Sequence, residues 1–105
     1  MKVIPRHKKI IEEVLEAEGL PNKYKFLGYV LHLYDQDEFV ASFYADRNGH
    51  SSLMQFCRWP EEALILKNHK KAKKIARYSK NEAAVVMLLD IDQRYLIMRI
   101  DELPA

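Results

Sequence analysis

Apolar positions near the start of the chain recur at helical spacing. Ile10, Ile11, Val14 and Leu15, preceded by Val3, Ile4 and the amphipathic His7, form one stripe, while Lys8, Lys9, Glu12, Glu13 and Glu16 fall outside it. Pro5 suits a first helical turn, where its missing N–H has no partner to lose, and Gly19 with Pro21 makes a stop signal. The pattern predicts a helix over 5–18. From Phe26 onward the pattern becomes that of strands. Segments 26–34 and 39–45 are rich in aromatic and branched residues and flank the polar Asp35-Gln36-Asp37-Glu38. Asn48-Gly49 favours a tight hairpin into a third strand at 52–58. Pro60-Glu61-Glu62 then reads as a helix start, since carboxylates there oppose the positive end of the helix dipole. A helix is expected over 60–79, with Asn68 able to cap a second segment. Strands 83–91 and 94–100 follow, turning about Asp92-Gln93. The expected fold is α+β, a single domain in the order α-β-β-β-α-β-β, with a mostly antiparallel sheet packed by two helices.

The strands are apolar on both sides. Leu27, Tyr29, Leu31 and Leu33 alternate with Phe26, Val30 and Tyr34; Val85, Met87 and Leu89 alternate with Ala84, Val86 and Leu88. A sheet with one face in water alternates more cleanly. Either strong curvature closes the sheet on itself, or the second face is a homodimer interface. The homodimer is the expectation adopted.

Composition narrows the field. With 105 residues and 49% hydrophobic content, the chain suits one packed domain, 1–105, and not a disordered segment. A single cysteine, Cys57, leaves no internal disulfide and fits a reducing compartment. Neither the opening residues nor any later run is apolar for long enough to suggest a signal peptide or membrane span, so no membrane association and a cytoplasmic location are expected.

Charge is nearly balanced, 17 basic residues against 15 acidic, yet it is segregated. Lys67, Lys70, Lys71, Lys73, Lys74, Arg77 and Lys80 lie within 67–80, where no acid occurs; elsewhere ten basic residues face fifteen acids. On a helical wheel Ile65, Ala72, Ile75, Ala76 and Ser79 share one face and the cations take the opposite arc. A row of cations on one helix face can follow phosphates, because each neutralised phosphate releases a condensed counterion. The same row could be an ordinary solvated face balanced by acids elsewhere in the chain.

Helix, three strands and a lysine-rich helix resemble the order of a double-stranded-RNA-binding domain, whose last helix opens with a Lys-Lys-x-Ala-Lys motif on the phosphates. His69-Lys70-Lys71-Ala72-Lys73 is similar, with His in the first place, although 60–66 intervenes and two further strands follow. The same order also resembles the core of restriction-endonuclease-like enzymes. Asp46 could serve as their strand-end acid, but Gln55-Phe56-Cys57 lacks the carboxylate and lysine that would complete a metal site.

Other candidate chemistry reads more simply as structure. Asp90 and Asp92 could hold Mg²⁺ but suit a hairpin turn, and Asp35, Asp37 and Glu38 suit a charged hairpin tip. His7, His32, His50 and His69 lack metal-ligand spacing, and Cys57 with His50 as base has no third orienting group. Trp59 is expected to plug the core at a sheet edge. No catalytic residue, metal or cofactor is assigned. The sequence thus points to a small non-enzymatic binding or regulatory protein presenting helix 67–80 to a polyanion, either nucleic acid or an acidic protein surface. The alternative is a protein–protein accessory, inhibitor or immunity-type module that uses its aromatic sheet face.

Overall fold

The computed structural model describes residues 3–46, 48, 52–79 and 82–100. Helix α1 (Pro5–Ala17) is followed by strands β1 (Lys25–Leu33), β2 (Glu38–Ala45) and β3 (Ser52–Cys57). A short 3₁₀ turn (Pro60–Glu62), helix α2 (His69–Ala76) and strands β4 (Ala84–Ile91) and β5 (Arg94–Arg99) complete the order. The strands form one antiparallel sheet, β3-β2-β1-β4-β5. The α+β class and the element order expected from the sequence are both present.

Local chemistry accounts for the element ends. Helix α1 starts at Pro5 and buries His7, Ile11 and Leu15, four residues apart on one face. It closes at Gly19, whose φ of +67° is open to glycine at no steric cost. There Leu20 N–H reaches Leu15 C=O at 2.8 Å and Gly19 N–H reaches Glu16 C=O at 3.1 Å, satisfying two otherwise orphaned carbonyls. Asp92 and Gln93 take φ values of +52° and +66°, the conformation of a two-residue hairpin turn, so their role is the turn one. The β1–β2 connection is likewise a turn, with Asp37 at φ +53° and its carboxylate 3.0 Å from His32 Nε2. The Asn48-Gly49 hairpin lies partly outside the described residues.

Both helices lie on the same side of the sheet. Ile11, Leu15, Ala72 and Ile75 pack with Tyr29, Leu31, Met87 and Leu89 in one cluster. Val30, Val86 and Leu88 point the other way and pack with Phe39 and Ala63. All three are 0% exposed. The 3₁₀ turn contacts β5 and carries Ala63 onto this second face, so one chain covers the central strands on both sides. The apolar second face that suggested a homodimer is therefore accounted for largely within the chain.

Segment 60–79 departs from the continuous helix expected. Only Pro60–Glu62 and His69–Ala76 are helical; between them the backbone is committed elsewhere. Strands β1 and β2 are in register only beside their turn, at His32↔Phe39 and Leu33↔Glu38. Beyond it they part, and the linking segment enters the opening. Leu64 N–H donates to Val40 C=O at 2.9 Å, and Leu66 exchanges hydrogen bonds of 2.8 and 2.7 Å with Tyr29. Backbone groups spent on two strands cannot also close helical turns. Gly28 makes the passage possible: a Cβ there would sit 2.6 Å from Ile65 Cγ2 and 2.9 Å from the Leu66 oxygen, and its φ is +145°. Ile65, placed on the helical stripe by its spacing, instead packs against β1 at this point.

Candidate functional site

The crossing segment delivers the chain to α2. Asn68 caps the helix, its side-chain oxygen accepting from Lys71 N–H at 3.1 Å. His69, Ala72 and Ile75 form the buried face. Ala72 is 0% exposed, and its small side chain lets the helix sit close to the sheet. His69 is anchored in an aromatic cluster. Its ring lies perpendicular to that of His7, with centroids 4.6 Å apart, and 5.1 Å from the ring of Tyr29. The Tyr29 hydroxyl and His7 Nδ1 share a hydrogen bond of 2.7 Å. Burial raises the pKa of the Tyr29 phenol above its ordinary value, opposed by the Arg6 charge. This cluster ties α1, β1 and α2 together. Two of the histidines thus meet in the fold, where sequence spacing gave no sign of it.

With that face fixed, the cations are turned outward. Lys70, Lys71, Lys73, Lys74 and Arg77 are exposed, as is Lys67 just before the helix. Lys80 lies outside the described residues. Lys70, Lys74 and Arg77 are four and three residues apart, on the arc opposite Ala72 and Ile75. Lys73 and Lys74 also occupy the last turn, where cations complement the helix dipole. Among the described residues Lys67, Lys70, Lys71, Lys74 and Arg77 form no ion pair.

An apolar groove of about 710 Å³ opens between α2 and β2, a feature the sequence did not suggest. Phe43, Leu64, Ile75 and Tyr78 line its floor, and Lys70, Lys71 and Lys74 stand along its helix side. Among the described residues no acidic side chain lines it. Tyr78 is 42% exposed, and its ring lies 5.0 Å from that of Phe43. The residues come from β2, the crossing segment and α2, so only the fold assembles them. On the other flank of α2, Arg77 borders a second hollow with Tyr34, Ser79 and Glu82. Tyr34 donates a hydrogen bond to Glu82, which raises the tyrosine's pKa above its usual value.

Among the described residues no group of three or more His, Cys, Asp or Glu is placed to hold a metal ion. Gln55, on the strand that would carry a nuclease's ligands, accepts a hydrogen bond from Ser42 at 2.6 Å. The Cys57 thiol points to the Trp59 carbonyl at 3.4 Å, and burial pushes its pKa up, which does not favour a nucleophilic thiolate. His50, its possible base, lies outside the described residues. Trp59 is 57% exposed and so is no core plug.

Compared with protein-family models, curated proteins and solved structures, the chain matches none of them. The likeness to double-stranded-RNA-binding domains therefore rests on element order and on residues 69–73 alone.

Proposed function

We propose that this protein binds a polyanion through the outward face of α2, and that the polyanion is nucleic acid. The observation that carries the reading is five cations, Lys67, Lys70, Lys71, Lys74 and Arg77, that form no ion pair among the described residues, on and beside one anchored helix. A helix fixed through His69, Ala72 and Ile75 holds its cations at set spacing, so little order must be imposed when phosphates replace water. Such contacts position a protein without reading bases, so different sequences should bind about equally. The single cysteine is compatible with action in the reducing cytoplasm.

The test changes Lys70, Lys74 and Arg77 together to Glu and follows fluorescence anisotropy of labelled oligonucleotides at low and moderate salt. Wild type should bind in a salt-sensitive manner and the variant should not, with Tm close to wild type. Absence of salt-sensitive binding by wild type sinks the nucleic-acid reading and leaves an acidic protein surface as the partner to test.

A second reading has its own support. Tyr44 and Leu53 face each other across β2 and β3 and are 64% and 61% exposed. Edge strand β3 has no charged residue along Ser52–Cys57, whereas native edges are commonly guarded by charge. A protein–protein accessory, inhibitor or immunity-type module, or a homodimer joined at β3, would use these features. Antiparallel self-pairing of β3 about a twofold axis would oppose no like charges. Sedimentation at micromolar concentration tests the homodimer, and a lone 12.4 kDa species would remove it.

A further inference from the structure

We infer that the groove between α2 and β2 takes an unpaired nucleotide, its base against Tyr78 and its phosphate among Lys70, Lys71 and Lys74. The inference rests on the nucleic-acid reading of α2 and says which form of nucleic acid the site is shaped for.

A duplex uses only part of what this site offers. Its bases are stacked inside, so it would meet the lysines with phosphates and leave the apolar floor empty. The groove adds a concave surface of Phe43, Leu64 and Ile75 directly beside the cations. Its volume, about 710 Å³, falls in the roughly 300–1,000 Å³ range of small-ligand sites. An apolar floor bordered by cations, with no carboxylate among the described lining residues, complements a ligand that joins a flat apolar ring to an anion. A nucleotide has that construction. Grooves that take single strands likewise pair a positive track for the backbone with an aromatic platform for the base.

Tyr78 is placed to be that platform. Its N–H donates to Ile75 C=O at 3.0 Å, continuing the helix by a turn, and its ring rests on Phe43 with part of its surface in solvent. Lys74 precedes it by four residues and Lys71 by seven, so both share its flank of the helix. The chemistry has two sources, a single strand or a free mononucleotide, and they are separated by competition.

The experiment measures anisotropy of a labelled ten-nucleotide strand and of a duplex of the same length, at one salt concentration. Wild type should prefer the single strand. Tyr78→Ala should weaken single-strand binding about tenfold while leaving duplex binding unchanged. Tyr78→Phe, which keeps the ring, should bind as wild type. Lys71→Gln with Lys74→Gln, both on exposed positions, should weaken the single strand without lowering Tm. Displacement of the strand by thymidine 5′-monophosphate assigns the groove to a free nucleotide, and failure to displace assigns it to a strand; either supports the site. Equal affinity for both forms, or equal loss of both in Tyr78→Ala, overturns the groove inference and leaves the basic helix standing. Binding of neither form overturns both.

Discussion

Strands β1, β4 and β5 on one side, and β2 with β3 on the other, have similarly apolar sequences but meet different fates. In the first group Tyr29, Val30, Leu31 and the run Val86–Leu89 are all but sealed from water, and the ladder from β1 through β4 to β5 spans nearly every residue. In the second group Tyr44, Leu53 and Phe56 remain exposed, and β2 leaves β1 after two paired residues. The crossing segment explains the contrast. By entering between β1 and β2 it adds Leu66 to the core of the first group, while the start of β2, at Phe39 and Val40, stays in the core and its far end with β3 moves outward. The opening between β2 and α2 is the groove. Burial is most complete in β1 and β4, and the candidate binding surface lies beside β2.

Core truncation should break this contrast most visibly. Leu15 is 1% exposed, so Leu15→Ala should cost about 2–5 kcal/mol through the cavity it leaves. Leu53→Ala, at 61% exposed, should stay within about 0.5 kcal/mol of wild type. Chemical denaturation of both variants checks the pair, and equal losses would mean that the two halves are not energetically distinct.

Gly28→Ala tests the crossing itself. The new methyl would meet Ile65 and the Leu66 carbonyl at an unfavourable φ, and the backbone strain alone should cost about 1–3 kcal/mol. Amide exchange should speed up at Leu66 and Leu64 before it does in β4, because their N–H groups bond to β1 and β2 across the opening.

A loss comparable to the backbone strain at Gly28 is expected where α1, β1 and α2 meet. Tyr29→Phe removes the hydroxyl bonded to His7 Nδ1 and should cost about 1–3 kcal/mol by leaving a buried polar atom without that partner. The smallest effect concerns Cys57. Because burial raises its pKa, alkylation in the folded protein should lag behind that of the unfolded chain at neutral pH. The gap should narrow only as pH rises past the raised value. Labelling with iodoacetamide across a pH series measures it.

How much of this could be read from the sequence follows the same division. Helix α1 was legible because its stripe, Pro5 and Gly19 are local signals that packing did not override. The five strands were legible for the same reason, within a residue or so at their ends. Segment 63–68 was not. Leu64, Ile65 and Leu66 look like a helical turn, and only their hydrogen bonds to Val40 and Tyr29, more than twenty residues away, make them extended. The cations of 67–80 were visible as a charge run, and Asn68 as a cap. That Lys67, Lys70, Lys71, Lys74 and Arg77 form no ion pair among the described residues was not, nor was the groove, because Phe43 and Tyr78 are brought together only by the fold. The cover of the second sheet face was hidden too, since it depends on where the 3₁₀ turn places Ala63.

Whether the outward face of α2 meets phosphates is decided by the salt dependence of binding. Anisotropy titrations of wild type with a short oligonucleotide, from about 50 to 200 mM salt, give the slope of log K against log salt concentration. Three to five phosphate contacts from α2 and its flanks predict a slope of about −2 to −4. Changing Lys70, Lys74 and Arg77 to Glu should bring it close to zero. A wild-type slope near zero, or a steep slope that survives in the triple variant, would contradict the account.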